Sequence, residues 1–153
     1  MNLRLRHHGA VEESAISDDP CDARLTWAEE TVPILRVADA GAAVQWYKRL
    51  GFEEEWTHRF EPDLPAFVSI RRGSSGTGVR IFLSEHRGDA EPNGLLYLRV
   101  TDIAPVATEF GVEIHDSGAR HEVGLIDPDG NRIRVGALTG RPEPGYTYPD
   151  AFR

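Results

Sequence analysis

Cysteine occurs once in the 153 residues, at Cys21, so no disulfide can close within the chain. That suits a reducing cytoplasm rather than a stapled secreted scaffold. Long apolar runs are missing: nothing approaches the ~20 residues of a membrane-spanning helix. Met1 to Cys21 also lacks the apolar centre of a secretory leader. Basic residues are in short supply, 17 Lys and Arg against 25 Asp and Glu, a formal charge of -8. Nucleic acid and anionic membrane are therefore poor partners. What is left is an acidic, cytoplasmic domain, long enough to bury roughly 68–70% of the surface its unfolded chain exposes.

The pattern L-R-V-x-D occurs twice, as Leu35-Arg36-Val37-Ala38-Asp39 and as Leu98-Arg99-Val100-Thr101-Asp102. Each copy ends an apolar run and precedes a helix-compatible segment closed by glycine, which points to one supersecondary unit used twice. In the first unit Val32 to Val37 reads as a strand, with Pro33 at its start or edge. Asp39 caps a helix whose buried face is Ala43, Trp46, Tyr47 and Leu50, and Gly51 stops it. Phe52 to Thr57, Phe67 to Arg71 and Val79 to Ser84 follow as strands, the last two joined across Gly73 to Gly78. The second unit is shorter. Leu95 to Val100 is its first strand, Asp102 caps a helix burying Ile103, Val106, Ala107 and Phe110, and Gly111 ends it. Val112 to His115, Arg120 to Ile126 and Arg132 to Val135 are its remaining strands. The expected class is α+β, two βαβββ modules at 31–85 and 94–137 within one domain, 31–137.

Outside the modules, residues 1–30 read as an extension that is mobile or docked, and 138–153 as a tail with three prolines, Pro142, Pro144 and Pro149. Tyr146, Tyr148 and Phe152 on that tail suggest docking on the body or on a second subunit. Three local motifs carry little chemistry. His7-His8 is an adjacent pair on the extension, Arg87-Gly88-Asp89 matches an adhesion tripeptide by chance, and Asp127 to Asn131 lacks the distal glutamate of a calcium loop and reads as a turn.

Strand side chains alternate between faces, so parity sorts them. One parity collects Leu35, Val37, Val79, Ile81, Leu83, Leu96, Leu98, Val100, Ile133 and Val135, all aliphatic, a face to be packed under the helices. The other collects Val32, Ile34, Arg36, Arg80, Phe82, Ser84, Leu95, Tyr97, Arg99, Arg132 and Arg134, a mixed face that suits a cleft. Arginines there can fork onto carboxylates or stack on planar ligands. Equally, Glu53, Glu55, Glu85 or Glu122 can neutralise them.

The run Asp39-x3-Ala43-x2-Trp46-Tyr47-x2-Leu50-Gly51-Phe52, followed by Asp127-Pro128-Asp129-Gly130-Asn131, resembles the glyoxalase/bleomycin-resistance/dioxygenase superfamily, the vicinal oxygen chelate fold. Val32-Pro33-Ile34-Leu35 and the segment from Trp56 to Pro65 look closest to its bleomycin-resistance-like branch. The resemblance implies two βαβββ modules with curled sheets around a cleft, and a homodimer. Its metal-dependent members place ligands at positions matching Val32, Phe82, Leu95 and Arg134, none of which offers a metal a donor atom, so no metal and no cofactor is expected.

With no catalytic residues assigned, the expected activity is small-molecule binding: sequestration of an antibiotic or another planar or anionic metabolite. Trp56, His58, Phe60, Phe67, Phe82 and Tyr97 would supply stacking surface, and Arg36, Arg80, Arg99 and Arg134 would orient the ligand. A lyase, isomerase or cyclase using Glu85, His58 or Tyr97 as acid or base is the alternative, and a metalloenzyme with displaced ligands the third reading. Bleomycin itself fits poorly, because the segment between the sixth and seventh strands shrinks to Asp116 to Ala119.

Overall fold

The computed structural model describes residues 30–74 and 78–140. Residues 1–29 of the extension, 141–153 of the tail and Ser75 to Thr77 of the Gly73–Gly78 connection lie outside the described residues, as do the readings made on them, whereas Leu138, read as the start of the tail, belongs to the last strand.

The first module contains β1 (Ile34–Arg36), α1 (Ala40–Lys48), β2 (Glu53–His58), β3 (Phe67–Arg72) and β4 (Val79–Ser84). Its sheet has the order β1-β4-β3-β2, with β1 parallel to β4 and the other pairs antiparallel. The second module repeats the plan with β5 (Leu95–Arg99), α2 (Ala104–Phe110), β6 (His115–Asp116), β7 (Arg120–Ile126) and β8 (Arg132–Leu138), in the order β5-β8-β7-β6. The α+β fold with two βαβββ modules is therefore what the chain adopts. Among the described residues no helix is long and apolar enough to cross a membrane.

The aliphatic parity is the packed one. Leu35, Val37, Ile81, Leu83, Leu98, Val100, Ile133 and Val135 are all buried, with Ala43, Tyr47, Leu50, Ile103 and Val106 of the helical segments packed among them. Each large side chain so buried contributes on the order of 1.5–3 kcal/mol. Val79 departs from the pattern and is exposed, because it sits at the very end of β4 opposite Arg72.

Local chemistry sets the element ends. Asp39 has extended backbone and its Oδ1 accepts from the amide of Ala42, closing the start of α1. The second helix differs from expectation: Ile103 occupies the cap position, and Asp102 instead accepts from the Ala104 amide at 3.0 Å. Burial of Ile103 in the core draws the chain one residue further before it turns helical. Gly51 and Gly111 follow the two helices at φ 81 and 62, the left-handed region that favours glycine. β1 is shorter than Val32 to Val37, since as an edge it pairs only with β4; the Pro33 carbonyl and the Val37 amide still bond to that neighbour. Val112 to Ile114 does not join the sheet, and β6 begins only at His115.

The Asp127–Asn131 turn does more than reverse the chain. Asp127 and Asn131 are buried, and Asp127 accepts from the amides of Asp129 and Asn131, from Asn131 Nδ2 and from the Tyr47 hydroxyl of α1. Asn131 Nδ2 also reaches the Arg36 carbonyl, and Asp129 accepts from the Ala38 amide. Burial, followed by the neighbouring Asp127 carboxylate, pushes the Tyr47 phenol well above its ordinary range. Trp46 against Phe110, and Arg49 against Glu109, complete this seam between the modules.

Candidate functional site

The undersides of the sheets are filled by the core, so chemistry has to come from their open faces. On the first sheet, register aligns Ile34, Phe82, Ser69 and Trp56 in one row, and Arg36, Ser84, Phe67 and His58 in the next. A β-bulge between Glu54 and Trp56 changes the alternation in β2, so Glu55 also reaches this face.

The aromatic side chains form one continuous surface. Trp56 stacks on Phe67 with centroids 6.1 Å apart and leans on Phe82 at 5.5 Å, while Phe67 and Phe82 are 5.2 Å apart. Beyond them the exposed Phe60 ring stands edge-on between His58, at 4.8 Å, and His86, at 6.4 Å. An open cavity of about 340 Å3 is lined by Trp56, His58, Phe60, Phe67, His86 and Asp89. Trp56 is 43% exposed and Phe60 74%, so apolar rings face solvent where a core would hide them.

His86 and Asp89 are the lining residues that sequence reasoning missed. They lie between the two modules, in the polar stretch from Glu85 to Asn93, whose composition suits a linker and does not mark the fold-back. Ser84 Oγ donates to Asp89 Oδ2 at 2.6 Å and accepts from the His86 amide at 3.1 Å, which brings the loop over the end of β4. A positive φ of 98 at Gly88 permits the reversal.

The arginines are engaged by the protein itself. Arg80 and Arg71 both bind Glu55, at 2.6 and 2.7 Å, and Ser69 donates to the same carboxylate. The Arg80 hydrogen bond outweighs the opposing effect of burial and holds the Glu55 carboxyl down at about 2. Arg36 donates to the carbonyls of Val37 and Ser84. Glu85 accepts from the amides of Ala40 and Ala66 and pairs with Arg59, so its two oxygens pin the start of α1 and the start of β3 rather than facing a substrate as a base.

On the second sheet the open face is different. Tyr97, Arg134 and Gly124 share a row, and Arg99, Gly136, Glu122 and His115 the next. Arg134 donates to Glu122 at 2.7 Å, and Arg120 lies 3.7 Å from the same carboxylate. Burial opposes ionisation of Glu122, yet the Arg134 hydrogen bond and the nearby hydroxyl and guanidiniums prevail and keep its carboxyl below the usual range. The Tyr97 ring folds down on Gly136: a Cβ there would overlap the hydroxyl and stand 2.8 Å from Cζ. Tyr97, Arg99 and Arg134 are thus gathered on a sheet other than the one carrying Trp56, His58, Phe60, Phe67, Arg36, Arg80 and Phe82. A wider hollow of about 550 Å3, beside Lys48, Gly51, Phe52, Glu53 and Glu54, lies on neither open face.

A family model described as glyoxalase superfamily protein matches residues 23–140. The chain belongs to the glyoxalase superfamily. Solved structures agree on the vicinal oxygen chelate fold of this superfamily chain. A bleomycin-binding protein complexed with bleomycin is 17% identical, with a TM-score of 0.55, over 72% of this chain and 98% of its own. An antibiotic-binding protein, TnmS3 from Streptomyces sp. CB03234, is 21% identical with a TM-score of 0.55, over 74% and 99%. A superfamily member from Sphaerobacter thermophilus DSM 20745 is 23% identical at 0.55, over 74% and 99%. No curated protein matches the chain in sequence.

The residues at the positions that resemble the superfamily's metal ligands do not fit an ion. Phe82 is packed between Trp56 and Phe67, Leu95 is an exposed aliphatic, and Arg134 is held on Glu122. Val32 offers no lone pair. Among the described residues no three His, Cys, Asp or Glu side chains are grouped to hold a metal elsewhere.

Proposed function

We propose that this glyoxalase-superfamily chain is a metal-independent binding protein of the bleomycin-resistance type, which sequesters a planar, ring-bearing small molecule, an antibiotic being the leading candidate. The observation that carries this reading is the exposed aromatic surface of Trp56, Phe60, Phe67 and Phe82 beside an open cavity. Rings left facing water cost hydration free energy, which a stacked ligand recovers. The carboxylate pairing of Arg71, Arg80 and Arg134 favours stacking over anion capture as the main source of affinity. Similarity in fold to a bleomycin-binding and an antibiotic-binding protein supports the class of ligand. The single cysteine and the charge of -8 agree with action in the cytoplasm.

The working unit is a homodimer in this reading. Each module presents one open four-stranded sheet, with β1 and β5 as edges, and a second copy can close the aromatic face into a cleft. Titration of planar natural products against tryptophan fluorescence tests the proposal. Saturable quenching, an affinity that falls about tenfold or more in Trp56→Ala when read by calorimetry, and recovery of the compound unchanged are the expected results. Recovery of a chemically altered compound would replace sequestration by catalysis, and sedimentation as a monomer at high concentration would remove the dimer.

A further inference from the structure

The face that binds also discriminates by charge. The arginines invite an anionic ligand, but the geometry assigns the opposite sign. We infer that the aromatic cavity of the first sheet takes a cationic ring system, with a protonated amine placed at Asp89 between the rings of Phe60 and Trp56. This inference rests on the binding function proposed above and specifies its ligand class.

Three observations converge. First, among the described residues lining the cavity Asp89 is the one carboxylate, and the others are aromatic or imidazole. Its Oδ2 accepts from Ser84 Oγ at 2.6 Å, which fixes the carboxylate in place. A carboxylate has about four lone-pair sites, so capacity for an ammonium is left after that bond.

Second, the wall is of the kind that attracts cations. Trp56 and Phe67 are stacked with planes 21° apart, and Phe60 stands edge-on to both imidazoles, so ring faces and a carboxylate surround one space. The negative face of an aromatic ring attracts a positive charge, most strongly for tryptophan. An anion placed there would meet those ring faces and Asp89 together.

Third, the arginines of the sheet face are already committed, and Arg87, exposed on the same loop as Asp89, is not among the residues that line the cavity. Arg36 donates to the carbonyls of Val37 and Ser84, Arg59 to the Leu64 carbonyl and Glu85, and Arg71 and Arg80 share Glu55. The histidines His58 and His86 face the cavity through Phe60. With a formal charge of -8 over the chain, the long-range field also draws cations toward the protein.

Three anthracenes of equal ring size test this: 9-(aminomethyl)anthracene as cation, 9-(hydroxymethyl)anthracene as neutral probe and anthracene-9-carboxylate as anion. Each is titrated against the full-length protein by tryptophan quenching. The cation is expected to bind about tenfold more tightly than the neutral probe, and the anion most weakly. In Asp89→Asn, which keeps the acceptor for Ser84, the cation loses about fivefold to tenfold more than the neutral probe does. Added salt should weaken the cation alone. Equal affinity of cation and anion, or equal losses of cation and neutral probe in Asp89→Asn with an unchanged melting temperature, overturns the assignment. If none of the three quenches, or if the affinity of the probes, read from their own anthracene fluorescence, is unchanged in Trp56→Ala, it is the binding site itself that is wrong. Asp89→Glu, which keeps the charge, separates charge from loop geometry: retained preference for the cation supports the assignment, and its loss with an intact neutral affinity overturns it.

Discussion

The two open faces come from one repeated plan and have diverged in opposite directions. Both sheets carry buried aliphatic residues beneath, and both begin with the L-R-V-x-D pattern. Above, the first sheet leaves Trp56, Phe60, Phe67 and Phe82 as a ring surface with a cavity. The second closes over itself: Tyr97 lies on Gly136, with the guanidiniums of Arg120 and Arg134 about its ring at 6.0 and 5.8 Å, and Arg134 locked to Glu122. The difference teaches that a core face is held by packing, whereas an open face is free to be spent on a ligand or on internal pairing.

The largest expected effect tests what the faces share. Asp127→Ala removes the acceptor for four donors at a buried seam that joins the modules. It should cost about 3 kcal/mol or more, read as a lower urea midpoint, and should depress ligand binding on the aromatic face as well. A loss of under about 1 kcal/mol would mean that the modules stand independently.

Next comes a change confined to the second face. Gly136→Ala forces the Tyr97 ring to move and should destabilise by about 1–3 kcal/mol. Because Tyr97 is the obstruction, Tyr97→Leu in the same chain should recover part of that loss, a coupling that a double-mutant cycle measures. Planar-ligand affinity should change little, since the ring surface is on the other sheet. If affinity collapses while stability is regained, the two faces work as one site.

A third change separates binding from stability on the first face. Trp56→Ala should lower affinity for a planar probe by tenfold or more while costing about 1 kcal/mol of stability, the ring being half exposed. Tyr97→Ala, its counterpart on the other sheet, should leave affinity nearly intact.

The smallest effect is electrostatic. The folded-state pKa of Glu55 is depressed from 4.5 to about 2, so its contribution is present above 4.5 and is lost as pH falls toward 2. Wild type should exceed Glu55→Gln in thermal stability at neutral pH, and the gap should narrow near pH 2. Glu122 is shifted in the same direction, so Glu122→Gln should behave alike on the second face. A gap that persists unchanged to low pH would show that the arginine pairing contributes nothing.

Much of the scaffold is legible in the sequence. Alternation in β1, β4, β5 and β8 separated core from open face because strand periodicity is a short-range property, and the glycines after each helix marked its end. Phe82 falls on the open face for the same reason. Other features depend on where distant residues arrive. The bulge at Glu54 and Trp56 turns Glu55 toward Arg80, 25 positions away, and the loop after β4 returns Asp89 to Ser84. Neither the bulge nor the fold-back has a marker in local composition.

By itself the sequence determined the duplicated α+β plan, the aliphatic undersides and the list of rings and arginines on the upper faces, since these follow from period, turn residues and volume. Tertiary structure alone decided which arginines are neutralised, that Tyr97 lies down on Gly136, and that a buried turn at Asp127 ties one module to the other. Those outcomes depend on through-space distances between residues far apart in the chain, and charge pairing and ring stacking act only once those distances close to a few ångströms.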